Sequence, residues 1–401
     1  MDADRRQFIY SQTSYYAELR ALLTAKGVFE PQLRHYALHA SLIVGLLVFS
    51  LAPLLLWQSV WLRLSDAVLL ALAFTHLAYI IHDAGHRQVF GKTSQNDLLM
   101  LAVGYVVGTS RSWWFGTHNA HHSHPNDLEL DPNTALPMLA FSEQQALNQQ
   151  RLLRKAMRFQ VFYFFPLLGL EAVGVRAASL QFLFARKSKY PLVEGVGIVL
   201  HLAWYATLLF YVMPIEQVAL FFLVHQGLTG FYMGMIFAPN HKGMLVPDPA
   251  EPLDFFHRQV LSSRNIKPSP LVDFLFGGLN YQIEHHLFPT IPRNKLKDAR
   301  SVVKAFCSER GVPYHETGVW QSYCEVASYF NRMSAPLRQP CQTSSRGRLP
   351  GRNEHVVALT ATHVEGVEVA GDPSFGVVLE AEPAGVALLA RPAPETPAAT
   401  A

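Results

Sequence analysis

Half of the chain's 401 residues are hydrophobic and only 16% are charged, whereas soluble proteins run near one quarter charged. A net charge of +3, scattered along the chain, argues against nucleic acid as a partner. Cys307, Cys324 and Cys341 are widely spaced and form no CxxC pair, which excludes a disulfide framework or a thiolate metal site. The remaining composition is that of a protein dissolved in lipid.

In chain order, residues 1–36 read as a polar N-terminal segment, and no cleavable signal peptide is expected because Asp2 to Gln32 precedes the first apolar run. Residues 37–62 carry no formal charge and exceed the roughly 20 residues that one bilayer crossing needs. Residues 64–81 form a second span, interrupted by Asp66 and His76, and residues 193–213 and 218–237 form a third and fourth, joined by a turn at Pro214. Leu98 to Val107 is too short to cross. Phe159 to Leu170 is borderline, with Arg154, Lys155 and Arg158 before it and Glu171 and Arg176 after it.

A parity argument places that segment in the interface. Histidine clusters at 82–122 and at 282–286 can share metals only on one membrane face, so the chain between them crosses an even number of times. The third and fourth spans supply that number. Arg151, Arg154, Lys155, Arg158, Arg186, Lys187 and Lys189 then fall in the cytoplasm with both termini, as the positive-inside rule expects. The expected architecture is all-α and integral to the membrane. It has four spans, interfacial helices and a cytoplasmic helical cap holding a di-metal centre, within residues 37–335. Residues 336–401 are rich in Ala, Pro, Val and Gly and read as a disordered tail.

Histidine is the unusual residue. Of 18 in the chain, eight fall into four short clusters in or beside apolar segments, where an ionisable side chain is expensive and needs a reason. The first cluster is His82-Asp83-Ala84-Gly85-His86; positions i and i+4 share a helix face, so both rings reach one site. Asp83 is placed to orient a ring from behind. The second is His118-Asn119-Ala120-His121-His122, whose three rings form one helical stripe. His124 precedes Pro125, where the helix should end, so it is expected behind the metal or at the surface. The third is Gln282-Ile283-Glu284-His285-His286. There a neutral, weaker glutamine takes the place of a first histidine, and Glu284 reads as an exposed acid. The fourth is Asn240-His241, delivered to the same face by the last span. His76, His201 and His225 lie within spans, where hydrogen-bonded or pathway roles are expected. His35, His39, His257, His315, His355 and His363 show no partner spacing.

Eight imidazoles and one amide are too many ligands for one metal, so two metals with about four ligands each is the natural partition. Imidazole suits zinc, copper and iron alike. Iron is favoured because breaking an unactivated C–H bond beside an apolar interior needs an oxidant that no side chain provides. A zinc hydrolase, or a receptor or transporter with a histidine-lined pathway, is the alternative from the residues alone. Trp113, Trp114, Phe115, Phe274 and Phe276 can wall an acyl tunnel or serve as ordinary interfacial aromatics. Arg264, Lys267, Arg293, Lys295 and Lys297 cluster near the third box. They suit coenzyme A phosphates, a lipid head group or an acidic redox partner, or else only anionic lipid.

The boxes HDAGH, HNAHH and QIEHH, in this order around four spans, resemble those of the membrane fatty acid desaturases. The stretch from Gly278 to Pro289 is similar to the front-end branch, and the resemblance covers about residues 35 to 320. It implies an oxidoreductase that inserts a cis double bond into a long-chain fatty acyl substrate, either acyl-lipid or acyl-CoA; a related hydroxylase is the sister possibility. By that resemblance two iron ions are held by His82, His86, His118, His121, His122, His285 and His286, joined by His241 and Gln282, with dioxygen as co-substrate. The sequence has no HPGG haem motif. Electrons are therefore expected from a separate ferredoxin or cytochrome with an NAD(P)H reductase, and a bacterial-type enzyme of the inner membrane is suggested.

Overall fold

A computed structural model describes residues 15–338 apart from 249, 251 and 252. All but the first three residues of the expected disordered tail therefore lie outside the described residues. The described residues are helical, with one pair of two-residue parallel strands among them, Asn265–Ile266 beside Glu316–Thr317.

After a helix over residues 15–25, α1 (Leu33–Leu56) and α2 (Val60–Gly85) form the first apolar pair. Next come α3 (Thr93–Val107) and α4 (Arg111–Ser123); the Ser110 side chain caps α4 by accepting from the Trp113 backbone N–H. Then α5 (Gln160–Leu167) passes through a 3-10 turn at Leu168–Leu170 into α6 (Glu171–Phe184). A second apolar pair, α7 (Pro191–Val212) and α8 (Ile215–His241), turns at Pro214, which starts α8 without needing a backbone donor. Five short-to-medium helices finish the fold. They are α9 (Phe255–Leu261), α10 (Pro270–Leu275), α11 (Gln282–Leu287), α12 (Arg293–Glu309) and α13 (Val319–Met333).

Among the described residues, five segments are long and apolar enough to cross a membrane: α1, α2, α5 with α6, α7 and α8. The unexpected candidate is α5–α6. Its apolar run alone is too short, but the helix continues past Glu171 to Phe184. Arg176, inside it, donates to Gln226 Oε1 at 2.7 Å and to His201 Nε2 at 3.3 Å, so its charge meets polar partners inside the bundle.

α2 is the central helix: 67% of its apolar window is buried, against 17% for α1. The outer faces carry exposed Leu38, Phe49, Trp61, Phe162, Leu192 and Phe210. Such a continuous apolar surface has lipid as its solvent. Over the end of the bundle where α2 and α8 finish sits a polar-skinned layer with its own core. Phe256, Val260, Leu287, Phe288, Leu296, Val303 and Phe306 form that core, with Leu19 and Leu23 of the N-terminal helix packed in.

Candidate metal centre

Four helix ends meet beneath this layer. His82 stands on the last turn of α2 and His86 caps it, while His118, His121 and His122 line one stripe of α4. His241 is the last residue of α8, and Gln282, His285 and His286 come from α11. Gly85 lets α4 close on α2, since a Cβ there would lie 2.1 Å from the Trp114 ring. Trp114 in turn stacks on His118, with ring centroids 4.3 Å apart.

The imidazoles fall into two adjoining groups. His82, His86, His118, His122 and His285 form one and His121, His241 and His286 the other; within each, the offered nitrogens all lie within 4.8 Å of one another. His122 and His286 stack at 4.1 Å across the boundary. Nε2 faces Nε2 at 3.1 Å between His82 and His285, 2.9 Å between His86 and His118, 3.1 Å between His118 and His122, and 3.2 Å between His121 and His241. Gln282 Nε2 lies 2.9 Å from His241 Nε2, and Asn240 Nδ2 donates to Gln282 Oε1 at 3.0 Å, so Asn240 braces the glutamine.

The far sides of several rings are held by protein. His121 Nδ1–H donates to Asp131 Oδ2 at 2.9 Å, His286 Nδ1–H to Gln259 Oε1 at 2.9 Å and His241 Nδ1–H to the Ser262 carbonyl at 2.9 Å. His82 Nδ1 lies 3.1 Å from Asp83 Oδ1, and Asp83 is paired with Arg293 through its other oxygen. Those partners fix the tautomers, leaving Nε2 with its lone pair toward the common centre. Asp131 also accepts from the backbone of Asn126 and Asn133. Burial pushes its carboxyl up, but the hydrogen bond from His121, the charge of Lys242 and the Asn133 backbone N–H outweigh that and hold it well below the usual carboxylate range. His86, His118, His122, His285 and His286 are driven well below the ordinary imidazole value by burial and by one another. These five rings are therefore neutral at pH 7, the state in which imidazole binds a metal.

Converging lone pairs repel unless something positive stands between them. His286 Nε2 is buried without a hydrogen-bond partner among the described residues, where a native interior normally pairs its polar groups. The donor set fits two metal ions, and all-imidazole ligation suits iron, zinc or copper.

Three expectations need correction. Glu284 is not an exposed acid: it is fully buried, accepts from Asn265 Nδ2 and Tyr314 O–H at 2.7 Å each, and ties α11 to the strand pair. Burial pushes its carboxyl up, against those hydrogen bonds. Arg264 is not part of a surface cluster either. It is fully buried, donates to the Pro239 and Lys242 carbonyls and pairs with Glu325 at 2.9 Å, stapling the end of α8 to α13. Arg293 is buried on Asp83. Lys267 and Lys297 are exposed, and Lys295 sits 3.6 Å from Asp298. His124 is half-buried and outside both groups. Of the aromatics, Trp114 walls the first group, while Phe115 lies under Arg111 and Arg87 and Phe276 packs with Tyr79, Ile236 and Leu279. Asp131 and Gln259 went unnoticed in the sequence because neither has helical spacing to a histidine it supports.

Residues 56–318 match the model of the family described as fatty acid desaturase. Similar proteins include an acyl-lipid (9-3)-desaturase of Physcomitrium patens, 27% identical over 82% of this chain and 64% of that protein. A Delta(6)-fatty-acid desaturase of Caenorhabditis elegans is 30% identical over 69% of this chain and 66% of its own length. A Delta(8)-fatty-acid desaturase of Euglena gracilis is 31% identical over 75% and 74%. The chain thus spans about two thirds of the length of the first of these relatives. All three organisms are eukaryotes, which lends no support to a bacterial inner membrane. A helical bundle apolar enough for lipid, two adjoining imidazole groups at one end of it, and this match together make the chain a member of the fatty acid desaturase family.

Proposed function

We propose that this chain inserts a cis double bond into a long-chain fatty acyl substrate, through two iron ions held at the imidazole groups. The observation that carries the reading is the pairing of those groups at one end of an apolar bundle. His82, His86, His118, His122 and His285 hold one ion, and His121, His241 and His286, with Gln282 beside them, hold the other. When bound, the irons with dioxygen and supplied electrons provide the power to remove hydrogen from unactivated methylenes. The protein's own part is positional. Asp131, Gln259, Asp83 and the Ser262 carbonyl lock the rings, Trp114 covers the first group, and the apolar helices exclude water and receive the acyl chain. Burial contributes about 0.8 kcal/mol per methylene, which is enough to hold a long tail.

The membrane carries four crossings, α1, α2, α7 and α8, with α5–α6 in the interface. The 3.2 Å approach of His121 to His241 supports this. Were α5–α6 to cross as well, three crossings would separate α4 from the end of α8 and set these rings on opposite faces. The site and the layer over it then face the cytoplasm, with the basic residues of 151–158 and 186–189. Electrons come from a separate ferredoxin or cytochrome served by an NAD(P)H reductase. The relatives' names, with Delta(6) and Delta(8) positions, favour a double bond counted from the carboxyl end.

Gas chromatography of host fatty acids, with and without this protein and beside a His121→Ala control, tests the reaction. New unsaturated acids that vanish in the variant are expected. Hydroxylated acids in their place would overturn the reading.

A further inference from the structure

A single carboxylate ties together the starts of two helices, and one of those helices carries three of the metal-facing rings. Glu194 lies in the first turn of α7 and is 3% exposed. Its Oε2 accepts from the Ser110 hydroxyl at 2.5 Å and from the Ser188 hydroxyl at 3.0 Å. Its Oε1 accepts from the Ser112 hydroxyl at 2.6 Å and from the Ser112 backbone N–H at 3.2 Å. Each hydroxyl accepts a backbone N–H in turn: Ser110 Oγ from Trp113 at 3.0 Å, Ser112 Oγ from Lys189 at 3.0 Å and Ser188 Oγ from Tyr190 at 3.1 Å. One carboxylate and its serines thus serve backbone donors at the starts of α4 and α7, where no intrahelical partner exists. Negative charge is favoured at both ends.

The helix α4 needs such a hold. Arg111, Ser112 and His121 are its only buried residues, and Trp114 and Phe115 are half-buried. Packing of an apolar face, which fixes most helices in proteins, is therefore weak here. The polar grip is concentrated in the first turn. Arg111 pairs there with Asp97 at 2.8 Å, and the Ser110 backbone N–H donates to Ser179 Oγ of α6 at 3.1 Å. His118 follows Ser112 by about 9 Å along the axis, at 1.5 Å per residue. A rotation or slide of that first turn would carry His118, His121 and His122 together. His118 and His122 belong to one imidazole group and His121 to the other.

We propose that Glu194 is a positioning residue of the metal centre, an inference that rests on the reading that these rings hold metal. Through Ser110 and Ser112 it sets the rotation and depth of α4. It thereby aims His118 and His122 at the first group and His121 at the second. Asp131 supports a single ring, whereas Glu194 supports the helix that both groups share. The two residues therefore leave different signatures when removed.

The test titrates the metal-free full chain in detergent with cobalt(II), followed by its visible absorption, and records melting curves alongside. Glu194→Gln keeps the shape but sets an amide nitrogen among donors. Ser112→Ala is the gentler second variant, which decides the matter if the first does not fold. Gln160→Leu is the control for stability alone, since Gln160 bonds to Ala140 and Phe330 and to no residue of α4. Glu194→Gln should weaken both cobalt sites about tenfold, the lower end of what losing a support behind metal-bound histidines costs. Ser112→Ala should weaken both severalfold. Asp131→Asn should weaken one site only, and Gln160→Leu should lower the melting temperature with both affinities unchanged. Wild-type affinities in Glu194→Gln, weakening confined to one site, or equal weakening in Gln160→Leu would overturn the assignment. A wild-type chain that binds no cobalt would instead sink the metal reading, and this inference with it. Binding is read without turnover, so absence of unsaturated product in host cells counts against the reaction and not against Glu194.

Discussion

The histidines at the ends of α2, α4, α8 and α11 behave differently from those in the middle of the bundle, although both sets are buried. His201 donates from Nδ1 to the Val106 carbonyl at 2.8 Å and accepts from Arg176, and His225 Nδ1 lies 2.6 Å from the Tyr205 hydroxyl. His201 is thus partnered at both ring nitrogens, whereas His225 is partnered at Nδ1 and its Nε2 has no hydrogen-bond partner among the described residues. Among the end-of-helix rings, His121, His286 and His241 turn Nδ1 to Asp131, Gln259 and the Ser262 carbonyl, and His82, His86, His118, His121 and His122 point Nε2 at a neighbouring imidazole. What distinguishes a ligand here is the direction of its free nitrogen, a property that spacing alone does not carry.

The sharpest way to break this contrast is to delete a ring from each set. His118→Ala removes a ring that faces both His86 and His122, so product should fall to background and metal content should drop, measured by fatty acid profiling and by metal analysis. Retention of activity would contradict the assignment. Next in size is Asp131→Asn, which leaves the ligand set intact but loosens His121. Loss of such a partner behind a metal-bound histidine typically lowers metal affinity or activity by about 10- to 100-fold, read by competition with a chelator. Gln259→Leu should act in the same direction through His286.

Acid should separate the two sets by degree. In the metal-free folded chain His86, His118, His122, His285 and His286 take up protons only well below the ordinary value, while unfolded imidazoles do so near pH 6.5. Below about pH 6.5 the unfolded chain therefore binds more protons, and folded stability falls as the pH drops; above it these groups add no further change. Protons also compete with metal for the same nitrogens. Dialysis at pH 5 should strip metal and lower the melting temperature, with both flat between pH 7 and 8.5. The smallest effect is expected from His201→Ala. Loss of its hydrogen bonds should cost about 1–2 kcal/mol of stability, seen as a melting shift of a few degrees with metal content unchanged.

Much of the centre was legible in the sequence because its logic is local. An i, i+4 pair on an apolar helix, or three rings on one stripe, need no tertiary information, and α1, α2, α7 and α8 announce themselves as long apolar runs. What stayed hidden depends on contacts distant in the chain. Glu284 and Arg264 look like surface charges until Asn265 of the strand pair and Tyr314 close on the first and Glu325 of α13 on the second. Arg293 reads as one more basic residue of α12, yet it closes on Asp83, 210 positions earlier. The length of α5–α6 was masked by Glu171 and Arg176, which look like the end of an apolar run. Gln226 and His201, the partners that accommodate Arg176, lie on other helices.

The central claim is that two adjoining imidazole groups hold two iron ions. It is tested most directly by counting metals in the purified wild-type chain by inductively coupled plasma mass spectrometry. The account predicts close to two irons per chain and little zinc. A single metal per chain, or zinc in place of iron, would contradict it.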